Sequence, residues 1–268
     1  MRGTYAKAAI GPLLPGRPDE LPDERKEREV EIDRDHLAEY ARVCEFRVGD
    51  RLPATYPHVL AFPLSMEIMT SRRFPFALLG LVHVGNRIEQ RRPLTADERL
   101  AISVWTEDLR PHRRGKQFDV VAEARASGDL AWVSRSTYLR RGGGDGKNGD
   151  GARNCSDTQE PPAPAAIWRV PGNIGRRYAG VSGDHNPIHL NPLTARLFGF
   201  PGMIAHGMWM KARCLAALEG RLADSFAVEV EFRRPLGIPG KAGFAARDSD
   251  FALTTPDGEK PHLLGKVE

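Results

Sequence analysis

Asp184 and His189 are the residues of this sequence best suited to chemistry. They stand five apart in Ser182-Gly183-Asp184-His185-Asn186-Pro187-Ile188-His189, a stretch dense in turn formers and restrained by Pro187. A carboxylate and an imidazole that converge on one spot can hold a water between them. One takes its proton while the other delivers a proton to carbon, and each such group contributes about 10²–10⁴ in rate. Downstream, residues 202–209 read as the opening of a helix, whose first backbone N–H groups lack intrahelical acceptors. Gly207 lets a ligand approach that backbone closely. Donors aimed there at a carbonyl oxygen would stabilise an enolate-like transition state.

The same residues have plainer uses. An Asp after Ser-Gly commonly closes an Asx-turn or a cap, and a lone His is commonly a hydrogen-bonded structural residue. His185, His189 and His206 with Asp184 carry the donor types of a metal cluster. They fit no H-x-x-x-H or H-E-x-x-H pattern on a helix, so no metal is expected. Met203, Met208 and Met210 read as core or as pocket wall.

Those residues need elements to hold them. Asn191-Pro192 is a good helix start, with Asn as N-cap and Pro first in the helix, and Gly199 ends that short helix. After the break at Phe200-Pro201-Gly202, residues 202–218 are apolar nearly all round, which marks a core helix. Gly220 is placed to close it with a left-handed cap. Strand-like runs follow at 226–232, 241–247, 251–255 and 262–267. An earlier stretch has the same layout: a helix near 62–71, then runs at 81–88, 100–106, 118–124 and 130–139. A helix followed by consecutive strands implies an antiparallel sheet with the helix on its concave face, an α+β fold.

The two stretches look duplicated. Arg91-Arg92-Pro93-Leu94 recurs as Arg233-Arg234-Pro235-Leu236, and Pro57-His58-Val59-Leu60-Ala61 can be set against Pro201-Gly202-Met203-Ile204-Ala205, with Leu64 and Met66 against Met208 and Met210. The offsets, 142 and 144, differ by one small indel; matches in order at nearly one offset favour a repeated unit. At the second offset Asp184 and His189 correspond to Tyr40 and Glu45, so the first unit carries no such pair. The expected organisation is a mobile tail over 1–30, a degenerate first unit over 31–140, a Gly/Pro-rich linker over 141–164 and a catalytic unit over 165–268.

Composition narrows the function classes. The 268 residues are 41% apolar and 28% charged, with a net charge of +4. The longest apolar run, 76–82, is far short of the ~20 residues that cross a bilayer, so no membrane partner is expected. No basic run is interleaved with aromatics, which speaks against nucleic acid; an anionic small ligand or an acidic carrier protein suits the balance. Three widely spaced cysteines form no disulfide framework, and the N-terminus shows no signal pattern. A cytoplasmic location is the expectation.

The run SGDHNPIHLNP followed by GFPGMIAHGM resembles the MaoC-like dehydratases, or (R)-specific enoyl-CoA hydratases, whose pattern is roughly S-G-D-x-N-P-[IL]-H and then G-F-x-x-x-I-x-H-G-M. The match falls on Ser182, Gly183, Asp184, Asn186, Pro187, Ile188, His189, Gly199, Phe200, Ile204, His206, Gly207 and Met208. The resemblance implies a double hotdog fold with one degenerate repeat, a long helix wrapped by an antiparallel sheet in each half. It implies reversible hydration of trans-2-enoyl thioesters to (R)-3-hydroxyacyl thioesters, carried by CoA or acyl carrier protein, with no cofactor. Asp184 and His189 would be the catalytic pair, Asn186 would orient them, and the Gly207 N–H would serve the oxyanion hole with support from Ser182 and His206. Ile204 and Met208 would contact substrate. The first repeat would shape the acyl tunnel, leaving one active site per chain. A hotdog thioesterase and a non-catalytic thioester-binding or dehydratase-assembly subunit are the alternatives. A double hotdog is already a pseudo-dimer, so monomer and homodimer are both expected states.

Overall fold

The computed structural model describes residues 18–78, 80–142 and 163–268. Most of the expected tail (1–17) and of the expected linker (143–162) lies outside the described residues.

The first half opens with β1 (Lys26–Val30), α1 (Arg34–Cys44) and α2 (Tyr56–Met69). Four long strands follow: β2 (Leu81–Gln90), β3 (Leu100–His112), β4 (Gly115–Ala126) and β5 (Asp129–Arg141). The second half repeats the plan with β6 (Ala166–Val170), α3 (Ile174–Ser182), a 3₁₀ turn (Pro187–His189), α4 (Pro192–Leu197) and α5 (Gly207–Leu218). It ends with β7 (Phe226–Phe232), β8 (Gly240–Arg247), β9 (Asp250–Thr254) and β10 (Pro261–Val267). This is the expected α+β arrangement, helices against antiparallel strands, made twice.

All ten strands form one sheet in the order β1-β3-β4-β5-β2-β7-β10-β9-β8-β6. The order reads the same from either edge once each strand is exchanged for its counterpart. The halves join where β2 pairs antiparallel with β7, and Arg87 lies opposite Glu229. Those two residues are 142 apart, the offset of the Arg-Arg-Pro-Leu repeat, so they mark the pseudo-two-fold centre. Behind this seam the fully buried Lys211 of α5 donates to the Asn86 carbonyl, the Asn86 Oδ1 and the Val228 carbonyl. One ammonium thereby satisfies acceptors on both central strands.

Local sequence accounts for the helices. Asp33 caps α1 by accepting from the Asp35 and His36 N–H groups, and Leu37, Tyr40, Ala41 and Cys44 bury one face at helical spacing. On α3 the counterpart face is Ile174, Tyr178, Ala179 and Ser182. Both helices end at a left-handed residue, Glu45 at φ 61° and Gly183 at φ 73°. The cap N–H groups bond Ala41 and Ala179 respectively.

Several expectations are corrected. Residues 26–30, assigned to the tail, form β1 and pair with Leu100–Val104 of β3. The core helix of the second half starts at Gly207, not at 202, because Ile204 bridges to Gly237 and the Ala205 N–H bonds the Leu236 carbonyl in extended backbone. Its counterpart α2 starts at Tyr56, six residues before the expected 62. Gly220 is not a left-handed cap; it lies inside a short 3₁₀ turn, Glu219–Arg221. Tyr40 and Glu45 are not the counterparts of Asp184 and His189. The matching caps pair Glu45 with Gly183, and the matching bonds Leu52 N–H to Leu94 O and Ala205 N–H to Leu236 O pair Leu52 with Ala205. Between these anchors the first half has six residues and the second twenty-one. The segment that carries the chemistry is thus an insertion that the first half lacks.

Candidate active site

The twenty-one-residue segment, fifteen residues longer than its first-half counterpart, begins at the C-terminus of α3. Ser182 ends that helix, and its Oγ accepts from the Asp184 N–H at 3.2 Å. The Asp184 carboxylate accepts from the Asn186 N–H at 3.1 Å, and the Asn186 side chain caps the 3₁₀ turn that carries His189. The Asx-turn reading of Asp184 and the catalytic one are therefore compatible: the turn fixes one carboxylate oxygen. Asn186 acts on the pair through its backbone and its cap rather than by touching His189.

His189 is buried, and its Nδ1 lies 2.8 Å from the Ile204 carbonyl. A carbonyl only accepts, so Nδ1 holds the proton and Nε2 presents a lone pair. Burial pushes the imidazole pKa down, the Asp184 carboxylate opposes that shift, and the bond to Ile204 opposes it further. Ile204 thus enters through its carbonyl; its N–H bonds the Ile188 carbonyl at 3.3 Å.

His206 N-caps α5 by position, and its Nε2–H donates to the Asp184 carbonyl at 3.0 Å. Its ring lies on that of His189 with centroids 3.6 Å apart, and Tyr178 packs beside it at 4.9 Å. Burial drives its pKa to about 3, so it is neutral. Gly207 is the first residue of α5, where the N–H has no intrahelical acceptor. A methyl group there would meet the Phe232 ring at 3.1 Å. Met208 is buried in the core. Leu64 and Met66 of α2 are core residues as well.

The structure adds residues that the sequence reading missed. Gly175 of α3 lies against the His189 carbonyl, which a Cβ there would meet at 2.1 Å. His58 of α2 and His83 and Tyr138 of the first-half sheet feel the Asp184 charge. His83 stacks on Tyr138 at 4.6 Å and meets Phe232 edge-on at 5.0 Å. The first half therefore contributes aromatic rings and neutral imidazoles within electrostatic reach of the second half's carboxylate. Burial holds His58 near pKa 4 and His83 near 3. A cleft of about 610 Å³ opens beside the loop, between Val59, Leu60 and Pro63 on α2 and Ser182, Gly183 and His185.

Asp184, His189 and His206 bring donor atoms within 4.8 Å of one another. The two imidazole planes lie 27° apart, face on face. In-plane lone pairs of stacked rings lie in near-parallel planes, and the His206 Nε2–H is already given to the Asp184 carbonyl, which suits a tetrahedral metal poorly. A water bridging the Asp184 carboxylate and the His189 Nε2 fits the arrangement better.

Comparison with known proteins finds relatives that cover most of the chain. The family described as "MaoC like domain" matches residues 160–235. The 3-hydroxyacyl-thioester dehydratase X of Mycobacterium tuberculosis is 39% identical over 97% of this chain and 95% of its own length. An enoyl-CoA hydratase of the same organism is 29% identical over 74% of this chain and 63% of its own length. The crystal structure of HtdX from that organism superposes with a TM-score of 0.79 at 37% identity, covering 91% of this chain and 99% of the other.

Proposed function

The chain belongs to the MaoC-like dehydratases, with their double hotdog fold, and from that premise we propose how its residues hydrate and dehydrate acyl thioesters. It is a hydro-lyase that interconverts 2-enoyl and 3-hydroxyacyl thioesters. The observation that carries the residue assignment is the His189 tautomer: Nδ1–H held by the Ile204 carbonyl, Nε2 bare beside Asp184.

In the hydration direction a water donates one hydrogen to the Asp184 carboxylate and the other to the His189 Nε2. His189 takes a proton as the water oxygen bonds C3 of the enoyl group, and the C2=C3 electron pair moves toward the thioester carbonyl. The Gly207 N–H, at the positive end of α5, donates to that carbonyl oxygen as charge builds there. The imidazolium, stabilised by the neighbouring carboxylate, returns the proton to C2. Water has then been added across the double bond, and both side chains stand as they began. His206 is a positioning residue: it ties down the Asp184 backbone and flanks the His189 ring.

The test is to incubate the protein with crotonyl-CoA while following enoyl absorbance and free thiol. Loss of absorbance without thiol is the expected result. Thiol release would identify a thioesterase, and no change in either would leave a binding subunit.

A further inference from the structure

Asp184 is the only acidic residue between positions 163 and 218, a stretch that holds Arg169, Arg176, Arg177, Arg196, Lys211 and Arg213. Lys211 is buried at the seam and Arg213 pairs with Glu45. The other four arginines are exposed and form no ion pair with a described residue. Two of them bracket α4: the Arg176 guanidinium donates to the Leu190 carbonyl just before it, and Arg196 to the Pro201 carbonyl just after it. Between these anchors α4 presents bare aliphatic surface. Leu193 is 67% exposed, Leu197 is 86% exposed, and Phe198 adds to them at 39%. Leu193 and Leu197 are four apart and share one helix face. The helix follows His189 by two residues, directly after the 3₁₀ turn that carries the imidazole.

Resting on the reading above, we infer that the α4 ridge and its arginine rim form the docking surface for an acidic acyl carrier protein that presents the thioester. Three physical points select this occupant. A convex aliphatic ridge has no pocket to enclose a nucleotide, but it fits against a protein helix. The one-signed rim complements an acidic partner and steers its approach. The same rim opposes a second copy of this chain, because a two-fold contact would set arginine against arginine.

The experiment compares crotonyl thioester on an acidic holo acyl carrier protein with crotonyl-CoA, using wild type, Arg176→Glu/Arg196→Glu and Leu193→Ser/Leu197→Ser. Each variant is checked for an unchanged melting temperature. The expected result is a kcat/KM for the carrier-borne substrate at least about tenfold lower in both variants, with crotonyl-CoA within twofold of wild type. For wild type, raising salt from 50 to 500 mM should weaken the carrier reaction more than the CoA reaction. Equal losses on both substrates, or none on either, overturn the inference. So does wild type that turns over only the CoA thioester, as do variants that instead lose self-association or binding to phosphatidylglycerol vesicles. Failure of the enzymatic reading itself looks different: wild type would then hydrate neither thioester.

Discussion

Gly175 touches His189 across two elements, so closely that a methyl group on the glycine would overlap the histidine carbonyl oxygen, at 2.1 Å. The glycine is needed for approach, not for backbone freedom. It lets α3 lie directly under the 3₁₀ turn that aims the imidazole.

Gly175→Ala should therefore push that turn away and spoil the aim. A displacement of about 1 Å at a reacting group costs up to about 10² in rate. The expected result is a 10–100-fold fall in kcat on crotonyl-CoA, a smaller change in KM, and a lower melting temperature. Unchanged kcat would mean that the turn is not held by this contact.

Gly207→Ala tests the other end of the site. Its Cβ would press on the Phe232 ring at 3.1 Å, a side chain that can yield. The N–H remains but moves by a few tenths of an ångström. We expect kcat per folded molecule to fall by roughly tenfold or more, with a modest loss of stability. Adding Phe232→Leu should recover the melting temperature. Activity that simply tracks the folded fraction would remove Gly207 from the mechanism.

Three histidines set a pH limit. Burial lowers His58 to a pKa of about 4, and His83 and His206 to about 3. The unfolded chain protonates the same residues below about 6.5. Protons thus favour the unfolded chain between those values, and stability falls as pH drops through that window. Each histidine costs up to about 1.4 kcal/mol per pH unit inside it. The melting temperature should decline steadily from pH 7 to pH 4, and His83→Gln should flatten the decline. A flat profile in wild type would contradict the buried, neutral state of these rings.

Much of this was legible in the sequence, for identifiable reasons. The strand Phe226–Phe232 announces itself by alternation and β-branched residues, and it is found as expected. Asn191 and Pro192 cap and start α4 as expected. The Asp184–His189 loop was readable because turn chemistry is local. The helix α3 was not legible, because Gly175, Gly180, Val181 and Ser182 leave its nine residues little intrinsic propensity. It forms by packing Tyr178 and its neighbours on α1, where the Tyr40 ring lies 6.4 Å away. The start of α5 was misjudged because Met203-Ile204-Ala205 is apolar in any conformation, and bonds to the distant Ile188, Leu236 and Ile238 hold it extended. The repeat offset fits at β2 and β7 but failed upstream, where the inserted loop shifts the register by fifteen residues.

The central claim is that Asp184 and His189 together activate the water, and the direct measurement is kcat on crotonyl-CoA for Asp184→Asn and His189→Gln, with the melting temperature of each sample. The account predicts a loss of about 10²–10⁴ for each variant, with folding intact and the double variant little worse than either single one. A folded Asp184→Asn or His189→Gln enzyme that keeps near-full kcat would contradict it.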